Sequence, residues 1–397
     1  MFKPVFFLAF ALVPFALIAQ TSSDTIPLKD MIVPTSPGFN LLDISPTTVE
    51  RPATVKQLAL NVANTLQQSS GLPQNFAMEF APFWLFKHPN MSIFKYNGLL
   101  VNKKADGGRE AKSQQNILYG ARNFSVSLAT AEKDSGQGVG VKTNFLAYSI
   151  KANIITVRKQ RTLDSLKKSI LDLNAQLVDD TKKAAKKCAI YLRGDDHTKY
   201  LDCVEQETFI SDSTVLDSLT SYYDTLLTIR PAFTADIALA SSTAFGNNSI
   251  TESHGYRSGG WLTVCYSQPL SFKKNKTLSD LYKQTNYINI YGIGRVLMED
   301  STTDFKTFTR YTYWDFGGRV ELEFDRLAIS FESVHRSVME NSALNSSRNV
   351  GILQYKVNDN FYLTGTFGKN FGGQSNLLAF LGLNFGFGKT ALYNKLE

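Results

Sequence analysis

Between Gly317 and Arg336 apolar and polar side chains alternate with period two. Val320, Leu322 and Phe324 interleave with Arg319, Glu321, Glu323 and Asp325; after Asp325-Arg326, Leu327, Ile329 and Phe331 interleave with Ser330 and Glu332. Strand side chains point alternately to opposite faces, so this spacing predicts a hairpin with one apolar and one charged face. In a soluble sandwich the apolar face would be the core. In a membrane barrel it would meet lipid, and the charged face would line the lumen.

The same period recurs along most of the chain. Phe76, Met78, Phe80 and Trp84 alternate with Ala77, Glu79 and Ala81; a poorer segment runs from Met91 to Lys103. Phe124, Val126 and Leu128 alternate with Ser125, Ser127 and Ala129, and Val139 to Lys151 follows a Gly-rich turn. Phe233, Ala235, Ile237 and Leu239 alternate with Thr234, Asp236 and Ala238. Strands are then expected at 259–270, 285–298, 307–325, 327–338, 348–357, 361–371 and 376–388, about twelve in all, an even number suited to closure.

The pattern breaks between Ile154 and Arg230. Leu163, Leu166, Ile170, Leu173 and Leu177 recur at spacings of three and four, and Leu216, Leu219, Tyr223 and Leu226 repeat that spacing. These are heptad seams, and they predict an antiparallel helical hairpin whose two helices are joined by Arg193 to Ser211. Cys188 and Cys203 could bridge its base or stay free thiols. Upstream, Gln20 to Arg51 reads as an extended arm in which Ser36 to Leu42 is apolar enough to dock. Val55, Leu58, Val62 and Leu66 give Pro52–Gln68 a helical spacing. Arm and helix could plug the barrel mouth or lie on the surface. A short basic helix is expected between Ser271 and Lys283.

Composition changes this picture in three places. Met1 to Ala19, with Lys3 followed by a Phe/Leu/Ala/Val run, reads as a secretory signal peptide, after which no apolar run is long enough for a membrane helix. The formal net charge is +7. About six of those charges fall within Lys151 to Tyr200, where they fit a solvated helix face better than a nucleic-acid surface. No zinc-ligand spacing or phosphate loop occurs, so no metal, cofactor or nucleic-acid partner is expected.

Segments of ten or more residues exceed ordinary soluble strands and match a tilted bilayer span. Phe83, Trp84, Phe86, Trp261, Tyr311, Tyr313 and Trp314 sit at strand ends, where an aromatic girdle would lie. The expected fold is therefore all-β: a transmembrane antiparallel β-barrel of about 12 strands with an inserted α-helical hairpin. Its divisions are signal peptide 1–19, arm and helix 20–74, first barrel part 75–153, hairpin 154–230, second barrel part 231–388 and tail 389–397.

The last strand, Phe380-Leu381-Gly382-Leu383-Asn384-Phe385-Gly386-Phe387, resembles the C-terminal signal read by barrel-assembly machinery, although Lys389 to Glu397 extend past it. With Gln20-Thr21-Ser22 at the mature start and triplets such as Asp24-Thr25-Ile26, Asp164-Ser165-Leu166, Asp217-Ser218-Leu219 and Asp224-Thr225-Leu226, the chain resembles outer-membrane barrel proteins of Bacteroidetes. That resemblance implies outer-membrane lipid and the assembly machinery as partners, and O-glycosylation at the triplets. A C-terminus on the periplasmic side places the helical hairpin there too, with the longer loops outside.

Glu79, Asp236, Arg319, Glu321, Glu323, Glu332 and Arg336 are the expected lumen-lining residues. Their mixed signs suit either a wet channel or a salt-bridged filling. The first expectation is a pore for small solutes. The second is a membrane-anchored interaction protein that works through its hairpin on a periplasmic partner. Catalysis is not expected: His335, between Ser333 and Ser337 on one strand face, is linked to them by adjacency alone.

Overall fold

The computed structural model describes residues 36–43, 45, 48, 58–65, 75–82, 92–103, 109–122, 124–134, 142–192, 197–210, 213–245, 251, 253–270, 286–302, 308–324, 326–358, 361–372 and 377–387. The signal peptide, the arm before residue 36, the helix expected at 271–283, Phe83, Trp84, Phe86 and the tail lie outside these residues.

Twelve strands close an antiparallel barrel: β1 (Leu58–Thr65), β2 (Asn75–Phe80), β5 (Ser125–Asp134), β6 (Lys142–Val157), β7 (Phe233–Phe245), β8 (Ser253–Pro269), β9 (Tyr287–Thr302), β10 (Phe308–Phe324), β11 (Leu327–Val338), β12 (Ser346–Asn358), β13 (Phe361–Lys369) and β14 (Leu377–Phe387). Closure falls to β1, which pairs with β14 on one side and β2 on the other. The helix expected over Pro52–Gln68 is thus a strand. Leu58, Leu60 and Val62 also alternate with Ala59, Asn61 and Ala63, and pairing on both edges satisfies backbone groups that a helix there would leave open along β2 and β14.

The Met91–Lys103 segment is not a barrel stave. It forms α2 (Ile93–Tyr96) and β3 (Leu99–Lys103), and β3 pairs with β4 (Arg109–Gln115) in a separate two-stranded sheet. A helix start, Ser92 capping Lys95 N, and a helix stop, the turn at Asn97-Gly98, interrupt the alternation before it can span. The strand number is therefore as expected, but β1 takes the place assigned to 91–103.

Between β6 and β7 stand α3 (Gln160–Leu192), α4 (His197–Ile210) and α5 (Ser213–Thr228). The link expected between two helices contains a helix of its own: α3 has 33 residues and α5 only 16, so α4 supplies the other half of the return. Cys188 and Cys203 are disulfide-bonded, with Cα atoms 5.9 Å apart. The seam is used internally: Leu163, Leu166, Ile170 and Leu173 pack with Tyr223 and Leu226, and Leu99 of β3 joins them. Asn97 Nδ2 donates to the Tyr223 hydroxyl at 2.6 Å, and Gln160 Nε2 to the Ser113 carbonyl at 2.8 Å. Helices and small sheet thus form one cap. Antiparallel connectivity puts it at the same barrel end as connections 325–326 and 359–360 and the exit of β14. Ser165 is buried in this cap, its hydroxyl turned to the Arg161 carbonyl, whereas Ser218 is exposed. Of these two triplets only the second is open to modification.

The barrel wall is inside-out relative to a soluble protein. Leu128, Ile150, Leu239, Leu262, Ile290, Val320, Phe331, Leu353, Phe367 and Leu381, on ten successive strands, are exposed. Their neighbours in the strand, including Lys151, Asp236, Arg295, Arg319, Glu321 and Arg348, are buried. Water would not hold such a belt open, whereas hydrocarbon would, and closure leaves no strand edge unpaired in lipid. Strands β8 and β10 reach 17 residues, well beyond the 9–11 or so that cross a bilayer. Trp314 faces out as expected of a girdle; Trp261 does not, being buried in the interior among Ala238 and Leu297, because its odd-numbered register on β8 is shared with inward Arg257, Thr263 and Cys265.

Candidate functional site

The barrel encloses part of its own N-terminal arm. Ser36 precedes a one-turn helix, α1 (Pro37–Leu41), all of whose residues are buried. The wall is built in two halves to receive it. On β2, β5, β6 and β7 the inward residues that pack with Phe39, Leu41 and Leu42 are largely alanines: Ala77, Ala129, Ala147 and Ala238 among them. A side chain at Gly38 would put its Cβ 2.8 Å from Ala129 Cβ and 3.3 Å from that of Ala147, so the arm approaches this wall as closely as a backbone can.

The facing wall carries arginines. A short helix leaves its last carbonyls unpaired; here Arg295 Nη1 donates to the Asn40 carbonyl at 3.0 Å and Arg257 Nη1 to that of Leu41 at 2.7 Å. Asp43 follows in the left-handed region, φ 53°, which Asp tolerates better than most residues. Its carboxylate meets three guanidiniums: Arg257 at 2.7 Å, Arg336 at 3.1 Å and Arg295 at 3.4 Å. Those cations have further anions of their own, Glu299 for Arg257 and Asp315 for both Arg295 and Arg336. Phe371, from the connection into β14, lies under Arg336 with its ring centroid 3.8 Å from the guanidinium carbon.

Farther along the arm, Thr48 N donates to Glu332 Oε1 at 2.9 Å, Arg348 Nη2 donates to the Ser45 carbonyl at 3.2 Å, and Arg348 pairs with Glu332 at 3.3 Å. Toward the cap, Arg319 pairs with Glu321, and Asn289 Nδ2 donates to both Glu321 and Glu323 at 3.1 Å. Arg230, at the exit of α5, reaches Glu323 at 2.7 Å. Burial works against its charge, but Glu323, together with Tyr291 and Glu321, more than restores it, so Arg230 is held above its ordinary range. On the alanine side Lys151 pairs with Glu79 at 3.2 Å, and Asn153 Nδ2 donates to Asp236 at 3.0 Å.

All seven residues read from the sequence as lumen candidates are therefore buried in the interior, but in separate networks. Arg336 and Glu332 hold the arm; Arg319, Glu321 and Glu323 lie beneath it near the cap; Glu79 and Asp236 belong to the opposite wall. Sequence reasoning missed Arg257, Arg295, Glu299, Asp315 and Arg348. All alternate with outward residues on their strands, so the period-two rule applied to β8, β9, β10 and β12 would have found them. Asp43 had no such signal, since the arm has no periodicity.

Fold and interior together define a lipid-spanning β-barrel with a charged, partly filled lumen. No family model matches the chain, and no curated protein matches it. Among solved structures it is similar to the NanC porin (10% identity, TM-score 0.30, covering 83% of this chain and 97% of that one). It is also similar to LpxR from Salmonella typhimurium (8%, 0.34, 83% and 99%) and to a mutant Rh. blastica porin (8%, 0.21, 83% and 98%). Likeness at these scores carries no inference; the barrel rests on the pairing of its own strands.

Proposed function

We propose that this chain is a Gram-negative outer-membrane β-barrel serving as a gated passage for small solutes, with residues 36–48 as the gate. The observation that carries this reading is Asp43 latched among Arg257, Arg295 and Arg336 in the lumen. A wall that only needed filling could do so with its own side chains. Here instead a separate segment is received by a small-residue surface and held by polar contacts that water could replace. The signal peptide, the terminal strand signal and the Bacteroidetes-like triplets support export and assembly in an outer membrane. Planar-bilayer conductance tests it. The intact protein should be nearly silent and a variant lacking residues 20–48 should conduct; silence of a folded deletion variant would reject the passage.

A second reading, an anchored interaction protein, draws on the cap. Its seam is consumed internally, yet Ile190, Tyr191, Leu201 and Val215 remain exposed on α3, α4 and α5. Crosslinking in cells with and without 160–228 would reveal a periplasmic partner.

A further inference from the structure

Around Asp43 the arm supplies one charge and the barrel wall supplies all the others. Arg336 meets the Asp43 carboxylate as a fork, Nη1 donating to Oδ2 at 3.1 Å and Nη2 to Oδ1 at 3.2 Å. Arg257 Nη1 gives Oδ2 a second bond at 2.7 Å, and Arg295 Nη2 gives Oδ1 a second at 3.4 Å. Each oxygen thus accepts two N–H groups, which uses the four lone-pair directions of a carboxylate.

The wall holds this receptor together without Asp43. Arg295 Nε and Arg336 Nε both donate to Asp315, each at 2.8 Å, and Arg257 Nη2 donates to Glu299. Phe371 lies with its ring centroid 3.8 Å from the Arg336 guanidinium carbon and 5.9 Å from that of Arg295. The rings of Tyr313 and Tyr256 lie 5.0 Å from Arg336 and 5.4 Å from Arg257. Wall carboxylates and aromatic faces therefore orient the guanidiniums whether or not the arm is docked. Their charge is another matter. With Asp43 gone, the three guanidiniums share two carboxylates, Glu299 and Asp315, an excess of one positive charge. All three arginines are buried, and a buried charge without a partner is costly. The emptied site thus calls for an anion. Its donors are arranged for two oxygens, as in a carboxylate; a phosphate or sulfonate brings three, one more than these four N–H groups serve in pairs.

We propose that Arg257, Arg295 and Arg336 form a binding site for the carboxylate of a small organic acid, and that Asp43 occupies it as a built-in competitor. This rests on residues 36–48 being the removable gate described above, and it names the class of solute: an organic acid in the lumen takes the place of Asp43 and keeps the arm undocked.

The test uses full-length protein in detergent micelles and reads binding and arm exposure, not conductance, so failure of the site and failure of the passage are told apart. Asp43 lies at φ 53°, which glycine adopts freely, so Asp43→Gly removes the side chain without backbone strain. Acetate has the size and charge of the group removed. In calorimetric titrations at fixed chloride, acetate should bind Asp43→Gly saturably and about tenfold or more tightly than it binds the intact protein, whose site is filled. Methyl phosphate and methanesulfonate should bind Asp43→Gly about tenfold more weakly than acetate. Adding Arg336→Lys to Asp43→Gly keeps the charge and loses the fork, and should weaken acetate by about tenfold, with heat-modifiability confirming that each variant is folded. The competition is read separately, on the otherwise intact chain carrying Leu42→Cys: benzoate should raise labelling by a membrane-impermeant maleimide, and its neutral counterpart benzamide should not. Acetate binding that is equal in Asp43→Gly and the intact protein, or unweakened by Arg336→Lys, overturns the site. Equal binding of methyl phosphate overturns the choice of carboxylate, and labelling unmoved by benzoate, or moved as much by benzamide, overturns the competition.

Discussion

Replacing Asp43 by Asn keeps the volume and shape of the latch and removes its charge. The perturbation is local, because Phe39, Leu41 and Leu42 still face the alanine wall and the carbonyls of Asn40 and Leu41 still accept from Arg295 and Arg257. What changes is that an amide replaces the carboxylate among three guanidiniums. Removing one partner from a buried ion pair costs about 3–5 kcal/mol. The low end applies, since Arg257 keeps Glu299 and Arg295 and Arg336 keep Asp315. About 3 kcal/mol corresponds to roughly a hundredfold shift of the arm from docked to undocked. Two assays read it: open probability in planar bilayers, and labelling of a Leu42→Cys reporter by a membrane-impermeant maleimide. The background is low because Cys265 is buried and Cys188 and Cys203 are bonded to each other. Asp43→Asn should raise both signals by about two orders of magnitude. Unchanged labelling would refute the latch; raised labelling without conductance would leave the latch standing and refute the passage.

Gly38→Val should release the arm by a different route, since its Cβ meets Ala129, with overpacking of about 1–3 kcal/mol, and maleimide labelling of the same reporter checks it. Paired Cys188→Ser and Cys203→Ser should cost the cap about 3 kcal/mol, the loop-closure value for a link of this length, and hasten proteolysis of 160–228 while barrel heat-modifiability stays unchanged. Leu166→Ala should open a cavity between α3 and its neighbours and destabilise the cap by about 2–5 kcal/mol, read by hydrogen exchange in α5. The Glu340 carboxyl is held below its usual range by the Thr312 backbone N–H. That contribution is present above the unfolded carboxylate's range and lost as pH falls through the lowered folded value, so the protection factors of amides 339–345, taken relative to intrinsic exchange at each pH, should be smaller in acid than at neutral pH.

The fold was legible wherever a strand has one greasy and one polar face. In Leu327–Val338 the outward Leu327, Ile329 and Phe331 and the inward Ser330 and Glu332 are those the pattern assigns, and burial keeps alternating to Val338 although polarity does not. The rule misled at 52–68, where Leu58, Val62 and Leu66 satisfy a helical spacing while Leu58, Leu60 and Val62 satisfy a strand, and eight residues are too few to separate the two. Partner edges decide it, and they come from β2 and β14, the second more than 300 residues away in the chain. The same limit hid the site. Arg295 and Asp315 can be read as inward from their own strands, but not that both converge on Asp43. That convergence needs β8 to β11 side by side in register and the arm threaded through them.

The two halves of the lumen explain why this arm and not another segment fills it. The alanines beside Phe39, Leu41 and Leu42 offer room without polar side chains of their own, and on the facing wall three guanidiniums, Arg257, Arg295 and Arg336, share two carboxylates, Glu299 and Asp315. A filler must therefore be greasy on one side and offer carbonyls and an anion on the other, within one helical turn. Phe39, Leu41 and Leu42 supply the first requirement; the C-terminal carbonyls of α1 and Asp43 supply the second. Were the alanines enlarged by substitution, the arm would lose its seat while the arginine wall kept its own anions. Were the arginines removed, Glu299 and Asp315 would be left as buried unpaired carboxylates, and the barrel itself would suffer. Gating and barrel stability thus separate by wall. Alanine-wall variants should change arm accessibility with little change in heat-modifiability, and arginine-wall variants should change both. Equal effects of the two sets on heat-modifiability would show that the arm is a structural filling and not a gate.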